Sequence, residues 1–229
     1  MRLFEPCHIN GKLALKNRIV MPALVTRLAT EAGEITEELL ERYLLYARGG
    51  TGLIITEAIS VRKQKSGPLL RLSEDRFVPS LRELTDRVHE GSDARIALQI
   101  IHFMKTGYSG HRAMPPFWMP EKVDVYLAAD IRKTLRHAGY QTPIVTSGRI
   151  PNAGVAESLL ENREADLVAI ARPTLCDPHW PRKTMEGREQ EILRCVYCNK
   201  CKEADEAFQK VYCAQWKKKD GSFEIRSHR

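Results

Sequence analysis

The chain has 229 residues, 43% of them hydrophobic and 28% charged, which suits one large soluble domain with its own core. No apolar run is long enough to span a membrane. The formal net charge is +7, but the basic residues are scattered, the one tight run is Lys217-Lys218-Lys219, and no aromatics interleave with them, which argues against a nucleic-acid partner.

In chain order, residues 3–18 read as a hairpin around the Asn-Gly turn signal of Ile9-Asn10-Gly11-Lys12. Ile19-Val20-Met21 is a short strand stopped by Pro22. Thr36 caps a helix with Glu37 and Glu38 in its first turn, where the helix dipole favours acids. Leu39, Leu40, Tyr43, Leu44 and Ala47 recur at helical spacing as its apolar face, and Gly49-Gly50 ends it. Residues 52–56 then form a continuous apolar strand, as in a parallel sheet covered on both faces.

The alternation goes on with a helix over 79–90, a buried strand over 95–101 and a Gly/Pro-rich loop over 103–122. A helix over 124–137, a strand over 143–146, a helix over 153–162 and a strand over 165–171 complete it. Loops, short helices and a polar tail follow Pro173. This βαβα rhythm predicts a parallel α/β sheet with five core strands, short of the eight that a closed (β/α)8 barrel needs.

Cys195, Cys198, Cys201 and Cys213 follow the spacing C-x2-C-x2-C-x11-C. Three soft thiolates from one tight loop with a fourth further on suit an iron–sulfur cluster. A four-cysteine zinc site usually pairs two C-x2-C knuckles, and the second is missing here. Redox-active or free thiols are the third alternative, and disulfides are disfavoured. Met1 to Pro6 shows no signal-peptide pattern, so a reducing cytoplasmic setting is expected. Cys7 and Cys176 stand apart in sequence and read as small core residues.

The chain resembles the Old Yellow Enzyme family of flavin oxidoreductases, in the branch with a [4Fe-4S] cluster that includes 2,4-dienoyl-CoA reductase and trimethylamine dehydrogenase. The resemblance is carried by Leu3-Phe-Glu-Pro6, Ile9-Asn-Gly11, Leu15-Lys-Asn-Arg-Ile-Val-Met-Pro-Ala23, Gly49-Gly-Thr-Gly-Leu-Ile-Ile-Thr-Glu57 and Ala97-Leu-Gln-Ile-Ile-His102. Gly148-Arg-Ile150, Ala165-Asp-Leu-Val168, Ala171-Arg-Pro173, Asp177-Pro178 and the cysteine loop continue it. The order matches over residues 1–102 and about 124–213.

The resemblance implies an FMN-binding TIM barrel whose site lies at the C-terminal ends of the strands. Pro22, Ala23, Leu24 and Val25 would offer backbone groups to the flavin ring, Ala58 would pack near it, and Gln99 would bond its pyrimidine edge. Read alone, without its flanking motif, Gln99 is better taken as a satisfied core amide. Ser147-Gly148-Arg149 and Ala171-Arg172 follow the last two strands, where barrels bind phosphate; singly, Arg149 and Arg172 read equally well as surface ion-pair residues, and their paired placement favours phosphate. The chain would pass electrons from an external donor, through cluster and FMN, to the activated C=C of a small enone or enoyl-CoA-like substrate.

About three central βα units of such a barrel have no counterpart, and the junction falls within the Pro-rich residues 113–120. In the family, that region holds the substrate-anchoring pair, the tyrosine proton donor and the cation facing the flavin. No position here matches them; His102, Tyr108 and His111 read as loop residues. The expected layout is a shortened FMN-binding barrel over 1–185 and a Cys-rich segment with a polar tail over 186–229. No Gly-x-Gly-x-x-Gly fingerprint is present, so no dinucleotide domain is expected. Open sheet edges would invite a second chain, identical or not, to complete the barrel. The rival expectations are a non-catalytic electron-transfer or assembly subunit, a degenerate remnant, and a zinc-holding half-barrel.

Overall fold

The computed structural model describes residues 1–61, 67–101, 114–219 and 222–224. Strands β1 (Cys7–Ile9) and β2 (Leu13–Leu15) form the expected hairpin. Asn10 and Gly11 both take positive φ, 52° and 66°, as the two central residues of a type I′ turn must. Then come β3 (Ile19–Met21), α1 (Glu37–Arg48), β4 (Leu53–Ser60), α2 (Val78–Gly91), β5 (Arg95–Ile101), α3 (Val125–His137), β6 (Val145–Thr146), α4 (Ala153–Glu161) and β7 (Leu167–Ala169). Short helices α5 (Arg172–Cys176), α6 (Trp180–Met185) and α7 (Lys200–Glu206) follow, and β8 (Lys217–Lys219) pairs with β9 (Ser222–Glu224).

Five strands form one parallel sheet in the order β5-β4-β3-β7-β6. The first and last core strands, β3 and β7, are neighbours, and that pairing is the one that closes a barrel. The sheet is therefore an arc of a (β/α)8 barrel, interrupted between β5 and β6.

Side chains alternate across the arc as the period of two requires. Val20, Leu53, Leu167 and Ala169 pack inward with Leu15 and Ile9 of the hairpin, which covers the end where the strands begin. Ile19 and Val168 face outward against α4 and Trp180. Met21 and Ile54 face outward against α1 and α2. Thr36 caps α1 as expected, its hydroxyl accepting from the Leu39 N–H at 3.2 Å. Asn152 does the same for α4, accepting from the Val155 N–H at 2.9 Å.

Three expectations are corrected. β4 runs on to Ser60, because residues 70–72 bond back to it: the Ser60 N–H donates to the Leu70 carbonyl and the Leu72 N–H to that of Ser60. β5 forms over the expected residues but is an edge rather than a buried strand. Leu98 and Ile100 are 37% and 56% exposed: they share the helix-facing side of β5 with Ile96, and among the described residues no element covers that side beyond Ile96. Lys217–Lys219, read as part of a polar tail, pairs as a strand.

Candidate functional site

The loops after β3, β6 and β7 converge on a cavity of about 850 Å³ at the C-terminal ends of the strands. Pro22, Ala23, Leu24, Val25, Ser147, Gly148, Arg149, Ala171 and Arg172 all line it. These residues are far apart in sequence, and the β3–β7–β6 pairing brings them together.

Its cationic end is built by two arginines, Arg149 and Arg172, with Gly148 beside the first. Gly148 takes φ 119°, a conformation that side chains avoid, and a Cβ there would meet the Asp124 backbone nitrogen at 3.1 Å. The bare glycine lets the chain turn tightly into Arg149, itself at φ 51°. The Arg149 Nε is buried and has no hydrogen-bond partner among the described residues. Arg172, at the start of α5, is buried and donates to the Pro115 carbonyl at 2.7 Å and the Asn199 Oδ1 at 2.6 Å. Neither arginine forms an ion pair among the described residues. A buried cation without a counter-anion is costly, so this end fits a bound anion such as a phosphate.

Ala58 and Gln99 sit opposite each other on β4 and β5, and neither lines the cavity. Gln99 is exposed, and its N–H donates to the Thr56 hydroxyl at 3.0 Å. His102, Tyr108 and His111 lie outside the described residues.

The four predicted thiols line a second, small cavity: Cys195, Cys198, Cys201 and Cys213 all face it. Burial pushes Cys195 and Cys201 up to about 11, with Arg172 pulling both back. Cys213 is drawn down to about 7, chiefly by the Cys176 thiol, with further help from the Gln215 N–H and Arg42. Among the described residues no three His, Cys, Asp or Glu converge closely enough to hold a single ion. Four thiols are a donor set that a structural zinc ion takes and that an iron–sulfur cluster takes as well. The thiol set around one cavity, flanked by buried cations, fits such a cluster.

Sequence reasoning missed several residues here. Cys176 is fully buried, as read, but packs with Cys195, Cys201 and Cys213. Arg42 lies buried on the otherwise apolar face of α1, over the rings of Tyr212 and Trp216. An arginine at helical spacing among Leu39, Tyr43 and Tyr46 was the available signal. Arg172, Tyr197 and Cys201 line both cavities, so the two sites share a wall.

Glu57 holds the Pro22–Val25 strap from behind. Its carboxylate accepts from the Thr26 N–H at 3.0 Å and from the Thr26 hydroxyl. Burial raises it from 4.5 to about 7, against the lowering by the Thr26 bonds and Arg27 and with a small rise from Asp205. The raised value means that the folded chain favours the protonated acid. That contribution is full below pH 4.5 and is lost as pH rises through about 7, a swing of roughly 3 kcal/mol. Glu57→Gln, neutral at every pH, should flatten the fall in stability that urea unfolding records for the wild type between pH 5 and pH 8. Parallel pH profiles for the two proteins would contradict this role.

A sequence model of the NADH:flavin oxidoreductase / NADH oxidase family matches residues 2–124 and 121–191, two pieces that meet beside the expected junction. An NADH oxidase from Thermoanaerobacter brockii is 22% identical over 341 residues, covering 82% of this chain and 52% of that protein. The aligned span is longer than this chain's 229 residues, so the relative holds a long stretch without a counterpart here. A metal reductase from Desulforamulus reducens is 35% identical over 125 residues, covering 53% of this chain and 18% of its own length. A solved 2-naphthoyl-CoA reductase superposes with a TM-score of 0.70 at 15% identity, over 87% of this chain and 54% of that one, which speaks for the fold. The chain spans about half or less of the length of the relatives described here.

Proposed function

The chain belongs to the NADH:flavin oxidoreductase / NADH oxidase family, and on that premise we propose that it is a flavin- and iron–sulfur-dependent reductase whose large cavity holds FMN. The observation that carries this reading is the cavity itself: the backbone strap predicted for the flavin ring and the arginines predicted for its phosphate face one space. Arg149 and Arg172 would clamp the phosphate, Gly148 would let backbone approach it, and Pro22, Ala23, Leu24 and Val25 would lie along the ring. Cys195, Cys198, Cys201 and Cys213 would ligate a [4Fe-4S] cluster across the shared wall.

When bound, FMN supplies hydride transfer and the cluster single-electron relay. The protein's part is to bind, orient and exclude water. The Pro22–Val25 strap is fixed by Glu57 through Thr26, so ring contacts are held before a cofactor arrives. Arg172 anchors Asn199 of the thiol loop and faces the phosphate end, which sets the distance between the two sites. The proposed substrate is a small molecule with an activated C=C bond, an enone or enoyl-CoA-like thioester, reduced with electrons from an external donor. We place the boundary between the barrel part and the Cys-rich segment at residues 185 and 186.

One observation favours a second reading, an electron-transfer or assembly subunit without substrate chemistry. Gln99 is exposed on an edge strand and away from the cavity, and Leu98, Ile100 and Val145 are exposed along the two open edges. A partner chain pairing with β5 and β6 would complete the barrel and cover them. Anaerobic assay of the protein with a reduced dye and an enone separates the readings. Turnover that scales with bound flavin supports the reductase; flavin that is reduced by the dye but never reoxidised by the enone supports the subunit.

A further inference from the structure

We propose that Tyr197 makes anion binding in the large cavity depend on the assembled thiol loop. The inference rests on the cofactor reading above and adds a coupling between its two sites. Tyr197 stands between Cys195 and Cys198 with φ 54°, a left-handed conformation that bulky residues rarely adopt. Such a conformation persists where the surroundings over-determine it, and Tyr197 is anchored in both directions.

Its backbone belongs to the thiol site: the Tyr197 N–H donates to the Cys195 Sγ at 3.4 Å. Its side chain belongs to the anion site. The ring is 6% exposed, and its hydroxyl donates at 3.3 Å to the carbonyl of Ile150, the residue after Arg149. The guanidinium carbons of Arg149 and Arg172 lie 5.1 and 4.7 Å from the ring centroid, both within cation–π range.

The two arginines come from separate loops, after β6 and after β7. Their like charges repel, and the tyrosine ring is a surface on which both are held. With no hydrogen-bond partner for its Nε among the described residues, the Arg149 guanidinium takes its orientation from the ring and from the incoming phosphate. When metal ligation no longer organises residues 195–201, the ring leaves and the cradle for a phosphate monoester opens. Linkage is reciprocal, so a bound phosphate monoester stabilises the metal-bound loop by the same factor.

The test uses the full chain purified without oxygen. FMN affinity is read from quenching of flavin fluorescence, before and after iron is stripped with a chelator and an oxidant. Stripping should weaken FMN binding about tenfold, and FMN should slow iron loss correspondingly. Tyr197→Leu should keep its iron yet bind FMN as weakly as stripped wild type, with no further loss on stripping. Tyr197→Phe keeps the ring and should keep the coupling. Equal FMN affinity of iron-loaded and stripped wild type overturns the coupling alone, as does a Tyr197→Leu variant that behaves like wild type. If the leucine variant does not fold, the wild-type and phenylalanine measurements still decide. Protein isolated without iron, or iron-loaded protein with no FMN affinity, overturns the cofactor reading and the coupling with it.

Discussion

Replacing Arg172 by alanine should weaken FMN binding by about a hundredfold, or roughly 3 kcal/mol. Arg172 is buried and donates to two neutral oxygens, the Pro115 carbonyl and Asn199 Oδ1, with no carboxylate partner among the described residues. Its charge is solvated by the protein but not neutralised. A phosphate would neutralise it at a buried guanidinium, where charge-assisted bonds are stronger than in bulk water. Burial already lowers its pKa, the direction expected of a cation waiting for an anion. Arg172→Lys keeps a positive point charge but loses the planar fork and the stacking on Tyr197, so it should recover only part of the loss. Fluorescence titration of FMN into the three proteins gives the ranking. An alanine variant within threefold of wild type would remove Arg172 from the phosphate site.

Gly49→Ala should destabilise the fold by about 3 kcal/mol or more, a larger effect than most single substitutions. Gly49 follows the last turn of α1 with ordinary right-handed φ and ψ of −69° and −7°, so backbone conformation is not the reason. Close approach is. A Cβ at this position would lie 1.8 Å from the Pro178 carbonyl oxygen and 2.7 Å from its carbon. Backbone cannot swing aside as a side chain can. The Gly49 carbonyl also accepts from the Arg182 N–H at 3.0 Å, so the contact seats α6 against α1. Asp177 extends it towards the cysteines: its carboxylate accepts from the Lys183 ammonium at 2.6 Å and the Leu193 N–H at 3.0 Å, two residues before Cys195. Thermal unfolding should therefore show a lowered midpoint and early loss of the cysteine segment. Gly91→Ala is the matched control, because nothing lies within 4 Å of its added methyl group. If Gly49→Ala melts with wild type, the close packing of α1 on residues 178–182 is wrong.

Much of the fold was legible because its signals are local. The Asn10-Gly11 turn, the Thr36 cap, the three-residue β3 and the apolar face of α1 depend on residues within a few positions of one another. The edge character of β5 was not legible, since Leu98 and Ile100 are as apolar as in a covered strand; their exposure follows from the helix-facing side of β5, which no described element covers beyond Ile96. Site residues divide the same way. Ser147, Gly148, Arg149, Ala171 and Arg172 carry motifs, and the sheet order delivers them to one cavity. Cys176 was read only as a core residue and Tyr197 was passed over, because their roles come from packing. Cys176 meets Cys213 across a long sequence separation, and a left-handed tyrosine beneath two arginines leaves no periodic trace.

The central claim is that one shortened barrel still builds a flavin site and a cluster site side by side. The most direct test is an ultraviolet–visible spectrum of protein purified without oxygen, with iron, zinc and released flavin assayed on the same sample. The account predicts flavin bands on a broad iron–sulfur shoulder, with iron and FMN present together. Iron–sulfur absorption without flavin would contradict the cavity assignment, and a colourless, zinc-loaded protein would contradict both sites.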